Sequence, residues 1–144
     1  SSRLGFPRAR SCMSFDENSI DQVLAMKTWA IVGLGNNPER AAFGVAKLLQ
    51  DKGHKIVPVY PRAEEVHGEQ GYKSLSEIPF QIDVVDCFVN SKLVGKVVDE
   101  AIEIGAKAVW LQLEVIDEEA IARAEAAGLL AIMDRCPAIE YRKR

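Results

Sequence analysis

Apolar residues fall in short blocks along this chain, separated by polar stretches marked with glycine. From Trp29 onward two kinds of block alternate. One kind is apolar at most positions: Trp29–Val32, Lys55–Val59, Asp83–Val89, Lys107–Leu113 and Leu129–Met133. Such continuous runs read as strands buried on both faces of a parallel sheet. The other kind carries apolar residues at helical spacing. A helix opening near Asn37, with Pro38 at the favoured first position, has Ala41, Ala42, Val45, Ala46, Leu48 and Leu49 on one face. Lys92–Ile104 and Asp117–Ala127 follow the same rule, and Gly53, Gly105 and Gly128 stand where helices stop. Ahead of them, Ser14 to Glu17 matches a capping box, and Ile20, Val23 and Leu24 predict a short helix to about Met26. Pro58 lacks an N–H, so the second ladder is expected to break or end there. Tyr72–Ser74 reads as a very short edge strand, with a single helical turn at Ser76–Ile78. The remainder, Asp134 to Arg144, is short and polar at its end.

Strictly alternating strands and helices imply parallel strands joined by right-handed crossovers. The predicted fold is α/β: a doubly wound, mostly parallel sheet of order 3-2-1-4-5-6 with helices on both faces. Residues 14–144 form one domain. Residues 1–13 stand apart, with Arg3, Arg8 and Arg10 and no acidic residue. They read as a disordered stretch, or as what is left of a targeting or cloning segment.

Composition narrows the function classes. Of 144 residues, 48% are hydrophobic and 27% charged, with a net charge of −3, so neither a nucleic-acid nor an anionic-membrane surface is favoured. No apolar run approaches the roughly 20 residues that span a bilayer. Cys12, Cys87 and Cys136 show no CxxC spacing, which argues against a disulfide framework and a zinc site. His54 and His67 each lie beside glycine in expected turns, poor places for metal ligands. The expected compartment is the cytoplasm, or a mitochondrion or plastid if the Arg-rich start is a transit-peptide remnant. A protein partner or a homo-oligomer is left open.

The chemistry concentrates where the winding reverses, beyond the carboxyl ends of the strands. The first strand turns through Gly33, Leu34, Gly35, Asn36 and Asn37 into a helix at Pro38. Glycine lets backbone approach a ligand closely, and a helix N-terminus offers N–H groups and a positive dipole end to an anion. The turn reads G-x-G-x-x-P, with Pro38 where the dinucleotide fingerprint has its third glycine. Arg40 is a second phosphate partner in the first helical turn. At the tip of strand two stand Pro61 and Arg62, where NAD sites carry an acidic residue for the ribose. An arginine pairs bidentately with phosphate, and both NADP and coenzyme A carry a ribose monophosphate. The loop Val89, Asn90, Ser91 faces the same crevice, as do Gln112 and the Asp134–Pro137 stretch.

Together these blocks resemble the small stand-alone coenzyme A-binding domain proteins. The matching segments are Ile31-Val32-Gly33 with Asn36 to Arg40, Val57 to Arg62, Asp83 to Asp86, Ala106 to Gln112 and Asp134 to Pro137. The resemblance spans about Asp16 to Glu140. It implies a Rossmann-like domain, as in the CoA-binding part of succinyl-CoA synthetase alpha subunits, with coenzyme A or an acyl-CoA as ligand. On that relation Leu34 to Asn37 hold the CoA phosphates, Arg62 replaces a usual lysine, and Val89 to Ser91 replace a Val-Pro-Pro-like segment packing on adenine or ribose. The synthetase's phosphohistidine belongs to a second domain, so its reaction is not carried over.

No nucleophile–base pair emerges: Asp86, Glu114 and Asp134 are not evidently paired. The expected activity is therefore binding without catalysis, against the alternatives of a small NADP-linked oxidoreductase or a CoA-sensing regulatory partner. Cys136 is the one reactive candidate. It follows the last strand beside Arg135, and coenzyme A ends in a thiol, so exchange into a mixed disulfide is its candidate chemistry. Cys87, inside a strand, reads as core.

Overall fold

The computed structural model describes residues 17–35, 37–113 and 115–142. The candidate capping residue Ser14, together with Cys12, Asn36, Glu114 and the Arg-rich start, lies outside them. In chain order the elements are α1 (Glu17–Leu24), β1 (Thr28–Val32), α2 (Ala41–Asp51), β2 (Lys55–Val59), a 3-10 turn (Leu75–Glu77), β3 (Val84–Cys87), α3 (Ser91–Glu103), β4 (Ala108–Leu111), α4 (Glu118–Ala126), β5 (Leu130–Ile132) and α5 (Pro137–Arg142).

All strand pairs are parallel, in the order β2-β1-β3-β4-β5. This corrects the expected six-strand order 3-2-1-4-5-6 in one detail. The outermost position beyond β2 is filled by Tyr72 alone, through a single parallel bridge to Val59. Pro58 also departs from expectation, because β2 runs through it to Val59. Val59 faces β1, accepting a 2.8 Å bond from Gly33 N–H, whereas the Pro58 carbonyl faces outward and accepts from Tyr72 N–H. The missing proline donor therefore points away from β1, at the sheet's edge, where it costs little.

Both faces of the sheet are covered, and residue parity divides them. Ala30, Val57, Val85, Val109 and Ala131 pack with Val94, Val98 and Ala101 of α3 and Ala120, Ile121 and Ala124 of α4. Their neighbours Trp29, Ile31, Ile56, Val84, Trp110 and Ile132 pack with Ile20 and Val23 of α1 and Ala42, Val45, Ala46 and Leu49 of α2. The one buried polar side chain in these strands is Asp86 of β3, flanked in register by Ile31 and Trp110 and fully buried.

The helix C-terminal to the sheet is a feature the pattern did not disclose. α5 docks on α2, and its Tyr141 reaches the side chain of buried His54, whose Nδ1 donates to the Met26 carbonyl at 2.7 Å. Burial lowers the His54 pKa. No helix among the described residues is long and apolar enough to cross a membrane.

Candidate functional site

Gly33 ends β1 with φ of +99°, and a Cβ there would lie 2.4 Å from the Phe88 carbonyl oxygen. Only glycine fits, because the turn leaving β1 presses against the backbone leaving β3. Leu34 then buries its side chain completely in the α1/α2 layer, so only its backbone is left for the crevice. Gly35 is buried against the Tyr60 ring and the Glu64 carboxylate, 3.4 and 3.2 Å from where a Cβ would stand.

The helix start is corrected from the sequence reading. Asn37 to Arg40 form a turn: Asn37 Oδ1 accepts from Glu39 N–H and the Asn37 carbonyl from Arg40 N–H. α2 begins at Ala41, so Pro38 is not its first residue and Arg40 is its N-cap, not a member of its first turn. Arg40 supplies no side-chain cap. An arginine side chain has no acceptor to give; Phe43 N–H donates to the Arg40 carbonyl, and the amides ahead of it in α2 have no side-chain cap from Arg40.

Past β2 the chain turns sharply. Ala63 N–H donates to the Tyr60 carbonyl, and Ala63 itself takes φ of 51°. Buried Gly71 backs this turn: a Cβ on it would lie 2.1 Å from the Glu64 carbonyl oxygen. The result is a cavity of about 300 Å³ lined by Gly33, Gly35, Asn37, Pro38 and Arg40 from one side and Tyr60, Arg62 and Glu64 from the other. Two arginines thus border a glycine turn, and one carboxylate, packed against Gly35, lines the same cavity. Pro61 is exposed and does not line it.

A second cavity, of about 380 Å³, shares Arg40 and lies over the ends of β3 and β4. Val45, Phe88, Val89 and Val115 give it apolar walls, and Asn90, Gln112 and Cys136 reach it as well. Asn90 is chiefly a helix cap, its Oδ1 accepting from Lys92 and Leu93 N–H at the start of α3. Ser91, the first residue of α3, lines neither cavity and accepts from Ile116 N–H. Cys136 is held by its neighbours: Trp110 Nε1 donates to the Arg135 carbonyl at 2.8 Å, and Arg135 N–H donates to the Leu111 carbonyl. Gln112 is 6% exposed, and its Oε1 has no hydrogen-bond partner among the described residues. The same is true of both Asp86 oxygens, and burial pushes that carboxyl well above its ordinary pKa.

The structure therefore gathers Gly33, Gly35, Asn37, Pro38, Arg40 and Arg62 at one cavity, and Arg40, Val89, Asn90, Gln112 and Cys136 at the other. Tyr60, Glu64, Gly71 and Phe88 were not anticipated. Glu64 carries no local signal beyond being an acid two residues after Arg62, and Gly71 has none, because its role is a contact with a distant peptide.

A model of the CoA binding domain family matches residues 27–142. The uncharacterized protein YneT of Bacillus subtilis (strain 168) is 37% identical over 110 residues, which are 76% of this chain and 82% of YneT. The alpha subunit of the ADP-forming acetate–CoA ligase II of Pyrococcus furiosus is 38% identical over 81 residues, 56% of this chain but only 18% of that subunit. Among solved structures, the chain is similar to a hypothetical protein from Pyrococcus horikoshii OT3, with a TM-score of 0.86, 37% identity and coverage of 96% of this chain and 98% of that one. The family match runs from the start of the sheet to its last helix and takes in both cavities, and the chain belongs to the CoA binding domain family.

Proposed function

We propose that this chain binds coenzyme A or an acyl-CoA along the two cavities that share Arg40, as a binding module without a reaction of its own. The observation that carries this reading is Arg40, shared by a polar cavity with a second guanidinium and an apolar one behind it. Coenzyme A has the same division, a phosphorylated nucleotide at one end and a pantetheine arm at the other. In this reading the nucleotide phosphates lie against the backbone of Gly33, Leu34, Gly35 and Asn37 and the N-terminus of α2, with Arg40 alongside. Arg62 pairs with the ribose phosphate, and Glu64 accepts from the neighbouring ribose hydroxyl. The pantetheine arm runs past Arg40 toward Gln112 and Cys136.

An NADP site would also use Arg62, so the two ligands are compared directly. A ligand at 100 times its dissociation constant stabilises the fold by about 2.7 kcal/mol. Thermal unfolding with coenzyme A and with NADP at equal millimolar concentration separates them. The reading expects a rise with coenzyme A and little with NADP; a rise with NADP alone would replace it.

A further inference from the structure

We propose that Cys136 is a covalent attachment site for coenzyme A, capturing it from coenzyme A disulfide as a protein–coenzyme A mixed disulfide. The inference rests on the coenzyme A reading above and adds to it a chemical step and a residue. Three observations carry it. Cys136 lines the apolar cavity that shares Arg40 with the phosphate cavity, so a ligand anchored by its phosphates extends its arm toward this sulfur. The backbone beside it is pinned, through the Trp110 Nε1 bond to the Arg135 carbonyl, the Arg135 N–H bond to Leu111 and the start of α5, where Glu140 N–H donates to the Cys136 carbonyl. Lastly, Gln112, more than nine-tenths buried and lining the same cavity, has an Oε1 with no partner among the described residues. That oxygen is enclosed as it stands, and a turn of the Gln112 side chain into the cavity it lines brings it to a donor; the pantetheine arm carries two amide N–H groups.

The step balances without a further reagent. Cys136 loses its thiol proton to water, and the thiolate attacks one sulfur of coenzyme A disulfide. The disulfide bond of the reagent breaks as the bond from Cys136 Sγ to that sulfur forms. The other coenzyme A leaves as a thiolate and takes up a proton. Cys136 is oxidised, and half of the reagent is reduced. Cys136 is itself largely buried, at 9% exposed, and Cys87 provides an internal contrast, being fully buried within β3 and lining neither cavity.

The test uses the whole chain, reduced and then freed of reductant, treated with coenzyme A disulfide or with pantethine, which has the same disulfide and no nucleotide. Peptide mass spectrometry assigns adducts among Cys12, Cys87 and Cys136. The proposal expects a coenzyme A adduct at Cys136, reversed by dithiothreitol, formed about tenfold or more faster than the pantethine adduct because phosphate anchoring raises the effective concentration. Free coenzyme A slows it by competition, and Gln112→Leu slows it too. No adduct at Cys136, or equal rates for the two disulfides, overturns the proposal. Calorimetry on the reduced protein with coenzyme A tells the two failures apart. Heat of binding without an adduct removes the exchange alone, and no heat removes the binding reading with it.

Discussion

Asp86 offers a quantitative test of the buried sheet beneath the site. Its carboxyl sits between Ile31 and Trp110, fully buried, with neither oxygen partnered among the described residues. Burial disfavours the charged form and raises the pKa well above 3.8. The sign follows from proton counting. Between the unfolded value and the raised folded value, the native state holds one proton that the unfolded chain has released. Stability from this group is therefore lost as pH rises through that window, by about 1.4 kcal/mol for each pH unit. Asp86→Asn removes the titration and keeps the shape. Urea unfolding of both proteins at several pH values from about 4 up to about 8 gives the stability difference at each. The Asn variant should gain on the parent steadily, by about 1.4 kcal/mol per unit while pH stays below the folded value. His54 cancels in the difference; its lowered pKa acts in the opposite sense, adding stability as pH rises toward 6.5. Cys87, raised by burial and by the Asp86 charge, titrates above 9 and stays outside the window. Parallel curves for the two proteins would refute the reasoning and mean that Asp86 is charged and compensated in the fold.

Other consequences are simpler. Gly33→Ala forces a side chain into positive φ and against the Phe88 carbonyl, so it should cost about 2–4 kcal/mol, read as a fall of roughly 5–15 °C in Tm. Gly71→Ala should displace the Ala63–Glu64 peptide and weaken coenzyme A binding about tenfold or more, measured by calorimetry on protein that remains folded by circular dichroism. Asn90→Ala should cost about 1 kcal/mol in chemical unfolding, and Asn90→Asp should recover most of it, since both bonds it accepts come from α3 amides.

The sheet was legible because its strands are apolar on both faces and its helices are not, so the change of period marks each boundary. The same two-sided burial hid Asp86, since a run without alternation gives no cue to which side a residue faces. The start of α2 was misplaced for a local reason. Asn-Pro-Glu is both a helix-entry signal and a turn in which the asparagine side chain bonds a backbone N–H two residues on, and the turn wins here. α5 escaped notice because Pro137–Arg142 is short and its support comes from α2 and His54, far away in sequence. At the site, the glycine turn and the residues at strand tips could be placed from topology alone. Tyr60, Glu64 and Gly71 could not, because they meet through the fold of the turn after β2. Leu34 shows the converse: a position in the right loop whose side chain belongs to the core.

The central claim is that a phosphorylated ribose meets Arg62 while the rest of the ligand continues past Arg40. Calorimetry with coenzyme A and with 3′-dephospho-coenzyme A, on the parent and on Arg62→Ala, addresses it directly. The parent should bind coenzyme A more tightly by about tenfold, near 1.4 kcal/mol, and the variant should bind the two alike. No heat from coenzyme A at millimolar concentration, or a preference that survives loss of Arg62, would contradict the account.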